Sequence, residues 1–344
     1  MSLVDGVAAI MFVGVLLYAI FAGADFGSGV WDLAAGSAAK GGRLRRLIDH
    51  AIGPVWEANH VWLIFVLVFL WTGFPDAFAQ LMRTLAIPFW FAGLGIVLRG
   101  SGFAFRKLSP SLRWARIAGV IFAGSSLITP FFLGAIVGAV ASGRVPAEGR
   151  GELWSSWLNP TSILGGVLAV LTCTFLAGVF LAADAESLGA ADLADWIRGR
   201  AIVLGGITGT VALIGIVPLS VDADTLFDRL AGRGSVFVLA SGLAGATTLV
   251  LLRSGRLRAA RLSAIGAVGS VIAGWGVAQH PWILVDELRL DDAPAPTATL
   301  WGLIVAFALA VVLVVPSLTY LFVLADRNRV GTEAAPEPAP PGGS

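Results

Sequence analysis

A few polar side chains stand where this apolar sequence has little room for them. Asp25 lies in GADFGSG, from Gly23 to Gly29, and Glu57, Asn59 and His60 lie in IGPVWEANHVWLI, from Ile52 to Ile64. Arg99 and Arg106 bound the segment RGSGFAFR. Carboxylate, amide and imidazole groups in close succession can hand a proton along hydrogen bonds, and His is the side chain whose ordinary pKa lies nearest neutrality. An ionisable group inside a membrane span costs on the order of 3 kcal/mol or more, so such groups face a protein interior and usually have a task.

The elements that must hold these residues are membrane-spanning helices. Of 344 residues, 57% are hydrophobic and 13% charged, whereas an average soluble domain carries about 25% charged residues. Apolar stretches fall at 5–26, 53–74, 78–98, 115–141, 160–183, 201–220, 234–252, 262–279 and 299–324. Each is long enough, or nearly so, to cross roughly 30 Å of hydrocarbon. The expected fold is all-α and polytopic, with nine transmembrane helices. The segment beyond residue 331, rich in Pro, Ala and Gly, reads as a disordered tail. The first apolar run has no Lys or Arg before it and is read as a retained helix rather than a cleaved signal.

Lys and Arg set the direction. Lys40, Arg43, Arg45 and Arg46 follow the first stretch, Arg99, Arg106, Lys107, Arg113 and Arg116 the third, Arg198 and Arg200 the fifth, and Arg253, Arg256, Arg258 and Arg261 the seventh. These positions, with Arg327 and Arg329 in the tail, hold most of the 23 basic residues. The N-terminus is therefore expected outside and the C-terminus in the cytoplasm. Trp154, Trp157, Trp282 and Trp301 fall at the opposite ends of spans and read as interfacial anchors.

With that orientation, Asp25 at the inner end of the first span and Glu57 about one turn into the second come to similar depth near the cytoplasmic face. Pro54 suits a first helical turn. Trp56, Asn59, His60 and Leu63 share a stripe, and Glu57 adjoins it through His60 at i+3. Each group also has a structural reading: Glu57 as a first-turn acid favoured by the helix dipole, Arg99 as an interfacial residue, and Asp25 as a partner of Arg43 or its neighbours.

A net charge of +1 gives no basis for nucleic-acid binding, and the single cysteine, Cys173, allows neither an internal disulfide nor paired thiols. His50, His60 and His280 share no predicted depth, so a bis-histidine haem has no evident ligand pair, while His with Met or a single axial ligand stays open. Ligand spacing for a metal is also lacking. Redox chemistry, if present, belongs to a partner. Phe21–Asp25 (FAGAD) is echoed by Phe180–Asp184 (FLAAD) four spans later, in the same direction, which suggests a parallel repeat.

Taken in order, GADFGSG, IGPVWEANHVWLI, RGSGFAFR and WGVAQHP (Trp275 to Pro281, including Gln279) resemble the motifs of subunit II of the cytochrome bd-type quinol oxidases, and the likeness extends over all nine spans. The resemblance implies two four-helix bundles plus a peripheral helix: residues 1–141, 142–279, a ninth span at 280–330 and the tail at 331–344. It implies a complex in a bacterial cytoplasmic membrane that oxidises quinol, reduces oxygen and takes protons from the cytoplasm. Haems b and d, or b alone, would sit in a partner, subunit I, and none in this chain. Lipid and quinone surround the pair, and a small single-span subunit is a further optional partner.

By motif match, Glu57 takes the place of the family's usual Asp, and Asp25, Glu57, Asn59 and His60 fall on the proton route. Trp56, Trp62, Arg99, Arg106 and Gln279 match as motif or structural residues, and Trp62 corresponds to a tryptophan linked with an oxygen route in some members. Two positions depart from the pattern: His60, where Gln or Glu is common, and His280, where Tyr is common. The competing class is a proton-coupled transporter, disfavoured because the carboxylates lie near one face rather than at the midplane.

Overall fold

The computed structural model describes residues 2–36, 38–52, 56–108 and 112–333. Pro54, the side chain of Trp56 and the tail beyond Glu333 lie outside what is described. The described residues form α1 (Leu3–Ala34), α2 (Ala38–Ile52), α3 (Trp56–Gly73), α4 (Pro75–Thr84), α5 (Ala86–Leu108), α6 (Leu112–Ala141) and α7 (Pro160–Ser187). Then follow α8 (Ala191–Ile214), α9 (Ile216–Asp222), α10 (Asp224–Ala231), α11 (Ser235–Arg253), α12 (Leu257–Gln279), the strands β1 (Trp282–Leu284) and β2 (Leu288–Arg289), and α13 (Thr297–Glu333).

Among the described residues, eight helical segments are long and apolar enough to cross a membrane, and α3 with α4 makes a ninth if that bent pair is counted as one span. The all-α, polytopic fold is therefore observed. Its centre is α1 against α7, with α3, α6 and α12 also on α1, and α13 packed on α1 and α3. Close approach depends on small residues, as expected where lipid removes any hydrophobic drive between helices. A Cβ on Gly27 would overlap the Cys173 carbonyl of α7, and one on Gly134 of α6 would overlap the Gly165 carbonyl of α7.

The two larger of three buried apolar clusters among the described residues lie toward opposite ends. One, at the basic end, gathers Trp31, Leu44, Leu47, Ile48, Phe103 and Phe122 with much of α7. The other gathers Val7, Phe69, Phe74, Leu81, Leu85 and Leu300. In the latter region Phe65 lies 4.3 Å from Phe69 and 5.7 Å from Phe307 of α13, and Trp62 meets Phe65 edge to face at 6.3 Å.

The structure corrects several expected boundaries. The expected third span, 78–98, is two helices. Pro75 opens α4, which turns 117° from α3, and a non-helical Leu85 separates α4 from α5. Proline suits a first helical turn and ends the helix before it. Arg99 does not close a span: α5 runs through RGSGFAFR, because the charge that broke the apolar window is neutralised by a partner inside the protein. The linker after α1 contains an amphipathic helix, α2, whose Leu44, Leu47 and Ile48 are buried. The sixth span continues through a break at Gly215 into α9, and the connection before α13 carries the β1–β2 hairpin.

Candidate functional site

Three of the four sequence motifs lie on α1, α3 and α5, and residues of all three come together. Asp25 is 4% exposed and Arg99 1%. Arg99 Nη2 donates to Asp25 Oδ1 at 2.7 Å and to the Asp25 carbonyl at 2.9 Å, and Nη1 donates to Ser126 Oγ at 3.4 Å. The guanidinium also lies over two ring faces, 5.1 Å from the centre of Phe26 and 4.7 Å from that of Phe122. Cation–π contact of this kind strengthens when water is excluded. Gly29 makes the geometry feasible, since a Cβ there would collide with Ser126.

Seven residues further along both helices the pattern repeats. Arg106 pairs with Asp32 of α1 and with Asp49 of α2. Arg45 of α2 donates to Asp32 at 2.7 Å and to the Gly36 carbonyl at 2.6 Å. Arg106 too lies over Phe122, at 5.0 Å. Two Asp–Arg rungs thus tie α1 to α5, about 10 Å apart by helical rise, and the lower one recruits α2. Because both partners advance by the same seven residues, α1 and α5 run parallel.

His60 stands beside the upper rung. Its ring centre is 5.7 Å from Phe26 and 6.2 Å from Tyr18, both of α1. Both ring nitrogens are buried and without a hydrogen-bond partner among the described residues, as are the Tyr18 hydroxyl, Asp25 Oδ2 and Arg99 Nε. Asn59 directs Nδ2 at the Phe21 carbonyl at 3.5 Å. Glu57, one turn toward the start of α3, lies on the exposed surface of the chain. Asp25 and Glu57 are therefore separated by orientation, one facing inward to an arginine and the other outward.

The remaining sequence candidates lie apart. Trp62 joins the aromatic group on α3 and α13. Gln279 donates to the Ile283 carbonyl at 3.2 Å, and the adjoining His280 ring lies 3.1 Å from Asp5. Of the alternative partners for Asp25, Arg43 and its neighbours, Arg43 bonds Asp192 and Arg45 bonds Asp32 instead, and the Asp192 carboxylate holds the Arg43 guanidinium above its ordinary pKa. Asp184, the echo of Asp25, does have an arginine: Arg261 at 3.0 Å, with its guanidinium over Phe180 at 4.1 Å.

Sequence reasoning missed Asp32, Asp49 and Tyr18. The i, i+7 spacing of Asp25 with Asp32, matched by that of Arg99 with Arg106, is a signal that could have found the lower rung. Among the described residues there is no cluster of three or more His, Cys, Asp or Glu side chains placed to hold a metal.

Fold and site define a polytopic helical membrane protein whose interior carries a ladder of ion pairs with an imidazole beside it. The family model described as cytochrome bd terminal oxidase subunit II matches residues 3–325, and the chain belongs to that family. The chain is 30% identical over 233 residues to the cytochrome bd ubiquinol oxidase subunit 2 of Bacillus subtilis (strain 168), a match covering 67% of this chain and 64% of that protein. It is 23% identical over 331 residues to the putative cytochrome bd menaquinol oxidase subunit II of the same organism, covering 92% of this chain and 93% of that one. Among solved structures it resembles the bd oxidase from Geobacillus thermodenitrificans, with a TM-score of 0.80 and 25% identity over 94% of this chain and 98% of that one.

Proposed function

We propose that this chain is the non-haem subunit II of a bd-type quinol:oxygen oxidoreductase in a bacterial cytoplasmic membrane. It stabilises a haem-bearing subunit I, which holds haems b and d, or b alone, and it helps conduct cytoplasmic protons toward the site of oxygen reduction. Family membership and the names of its relatives support the oxidase over the transporter. The N-terminus lies outside and the C-terminus in the cytoplasm, in keeping with the distribution of Lys and Arg.

The observation that carries the proton role is the sequence of polar groups on α3 and α1. Glu57 is exposed on the chain's surface, His60 follows one turn along α3, and Asn59 and Asp25 adjoin them. An exposed carboxylate at the start of a span is where a proton can be collected, and the unpartnered atoms beyond it lead inward. Arg99 and Arg106 hold α1, α2 and α5 in register around this path.

Purification from native membranes should bring down a haem-bearing polypeptide with b and d bands, or b bands alone. A colourless chain without a partner counts decisively against the reading. In the intact complex, Glu57→Gln should lower quinol-oxidase turnover by about tenfold or more, the scale of a lost proton-transfer group, with the haem bands retained. Glu57→Asp should be largely tolerated. Full turnover in the Gln variant removes Glu57 from the route, and loss of the bands makes it structural.

A further inference from the structure

We propose that the group that takes up and releases protons inside this chain is His60, acting with the Tyr18 hydroxyl, while Asp25 is a fixed charge that holds Arg99. The inference rests on the proton-route reading above and assigns the work within it.

A proton carrier needs an exchangeable atom that no permanent partner holds, and its change of charge must not strand another ion. Asp25 fails the second condition. An arginine in a protein stays protonated, and Arg99 is 1% exposed. Its other contacts are the Asp25 carbonyl, the Ser126 hydroxyl and the faces of Phe26 and Phe122, none of them anionic. Protonating Asp25 would leave a buried guanidinium uncompensated, the arrangement that makes breaking a buried ion pair so costly.

His60 meets both conditions. Neither ring nitrogen has a partner among the described residues, and the same is true of the Tyr18 hydroxyl, whose ring faces the imidazole at 6.2 Å. The groups around His60 are Tyr18, Asp25 and Phe26 from α1 and Arg99 from α5, with Glu57 exposed one turn earlier on its own helix. Asp25 and Arg99 neutralise each other, so an imidazole gaining a proton meets no uncompensated charge in the interior.

The transfer balances as a relay. One nitrogen of the neutral ring receives a proton from the side of Glu57, and the other nitrogen gives up the proton it carried. The Tyr18 oxygen gains that proton as its own leaves outward, and both groups end neutral. Such transfers cross gaps of this size through bridging water. The bland alternative is a histidine serving only as a packed ring between Phe26 and Tyr18.

The test uses the intact oxidase, this chain with its haem-bearing partner, reconstituted in liposomes. The measurements are the haem spectrum, quinol-oxidase turnover, its pH profile, and proton uptake followed with a pH-indicating dye. His60→Gln should keep the haem bands and lower turnover and uptake together, by about tenfold or more, and Tyr18→Phe should lower them less. His60→Glu should restore most of the turnover with the pH profile displaced toward acid, since a Glu carboxyl ordinarily titrates about two units below imidazole.

Unchanged turnover in His60→Gln, while Glu57→Gln is impaired, overturns this inference and leaves the route standing. If neither variant is impaired, the route falls with it. Loss of the haem bands in His60→Gln, or a His60→Glu variant no better than His60→Gln, makes His60 a packing residue and also overturns it.

Discussion

The two halves of the chain carry a similar short phrase and use it differently. In the first, Asp25 ends FAGAD on α1 and meets Arg99 in the middle of another helix, where both side chains are sealed from solvent. In the second, Asp184 ends FLAAD on α7 and meets Arg261 near the start of α12, where the side chains remain 32% and 40% exposed. Each arginine also lies over a phenylalanine ring, Phe26 and Phe122 in one case and Phe180 in the other. The chemistry of the contact is the same, and the solvent around it differs. Buried, the pair fixes helix position and shapes the electrostatics of the site. Half-exposed, it is a surface contact whose worth is set by water and salt.

Three substitutions grade this contrast. Arg99→Met leaves Asp25 as an unpaired buried carboxylate, and it should cost about 3–5 kcal/mol. This would appear as a large fall in the thermal unfolding midpoint and in the yield of assembled complex. A midpoint close to that of the unaltered protein would mean that the buried pair is no more than its exposed counterpart. Arg106→Gln is intermediate: it strips one guanidinium from Asp32 and Asp49, but Arg45 still serves Asp32. A loss of about 1–3 kcal/mol is expected, with faster proteolysis of α2, since Arg106 binds that helix through Asp49. Arg261→Gln should cost about 1 kcal/mol or less, and the small effect should shrink further in high salt. If Arg261→Gln destabilises as much as Arg99→Met, exposure is not what separates the halves.

Much of the fold was legible because a membrane leaves few choices. Every apolar window had to be a helix, and the short linkers between them left no room for a separate domain. What escaped was whatever depended on a neighbour. Arg99 interrupts an apolar window, so composition ended the helix there, but its partner on α1 lets α5 continue through Leu108. α2 is too polar for a span, and its burial of Leu47 and Ile48 comes from packing. Tyr18 looks like one more ring on an apolar helix until His60 is seen beside it. Helix direction set an expected depth for Glu57 and Asp25 but no rotation, because the angle of a helix about its axis is set by what packs against it. These side chains could be named as candidates from the sequence, but their division into inward and outward groups could not.

The aromatic stretch above His60 bears on how the chain withstands the membrane voltage. On α3 the polar residues give way to Phe65 and Phe69, locked against Phe307, and the chain then bends by 117° so that α4 buries Ala77 and Leu81 at that end. An ion entering this dry segment would lose its hydration with nothing to replace it. Along α3 the polar residues and the aromatic residues thus occupy separate stretches, and the aromatic one offers an ion no charged side chain to take the place of its water.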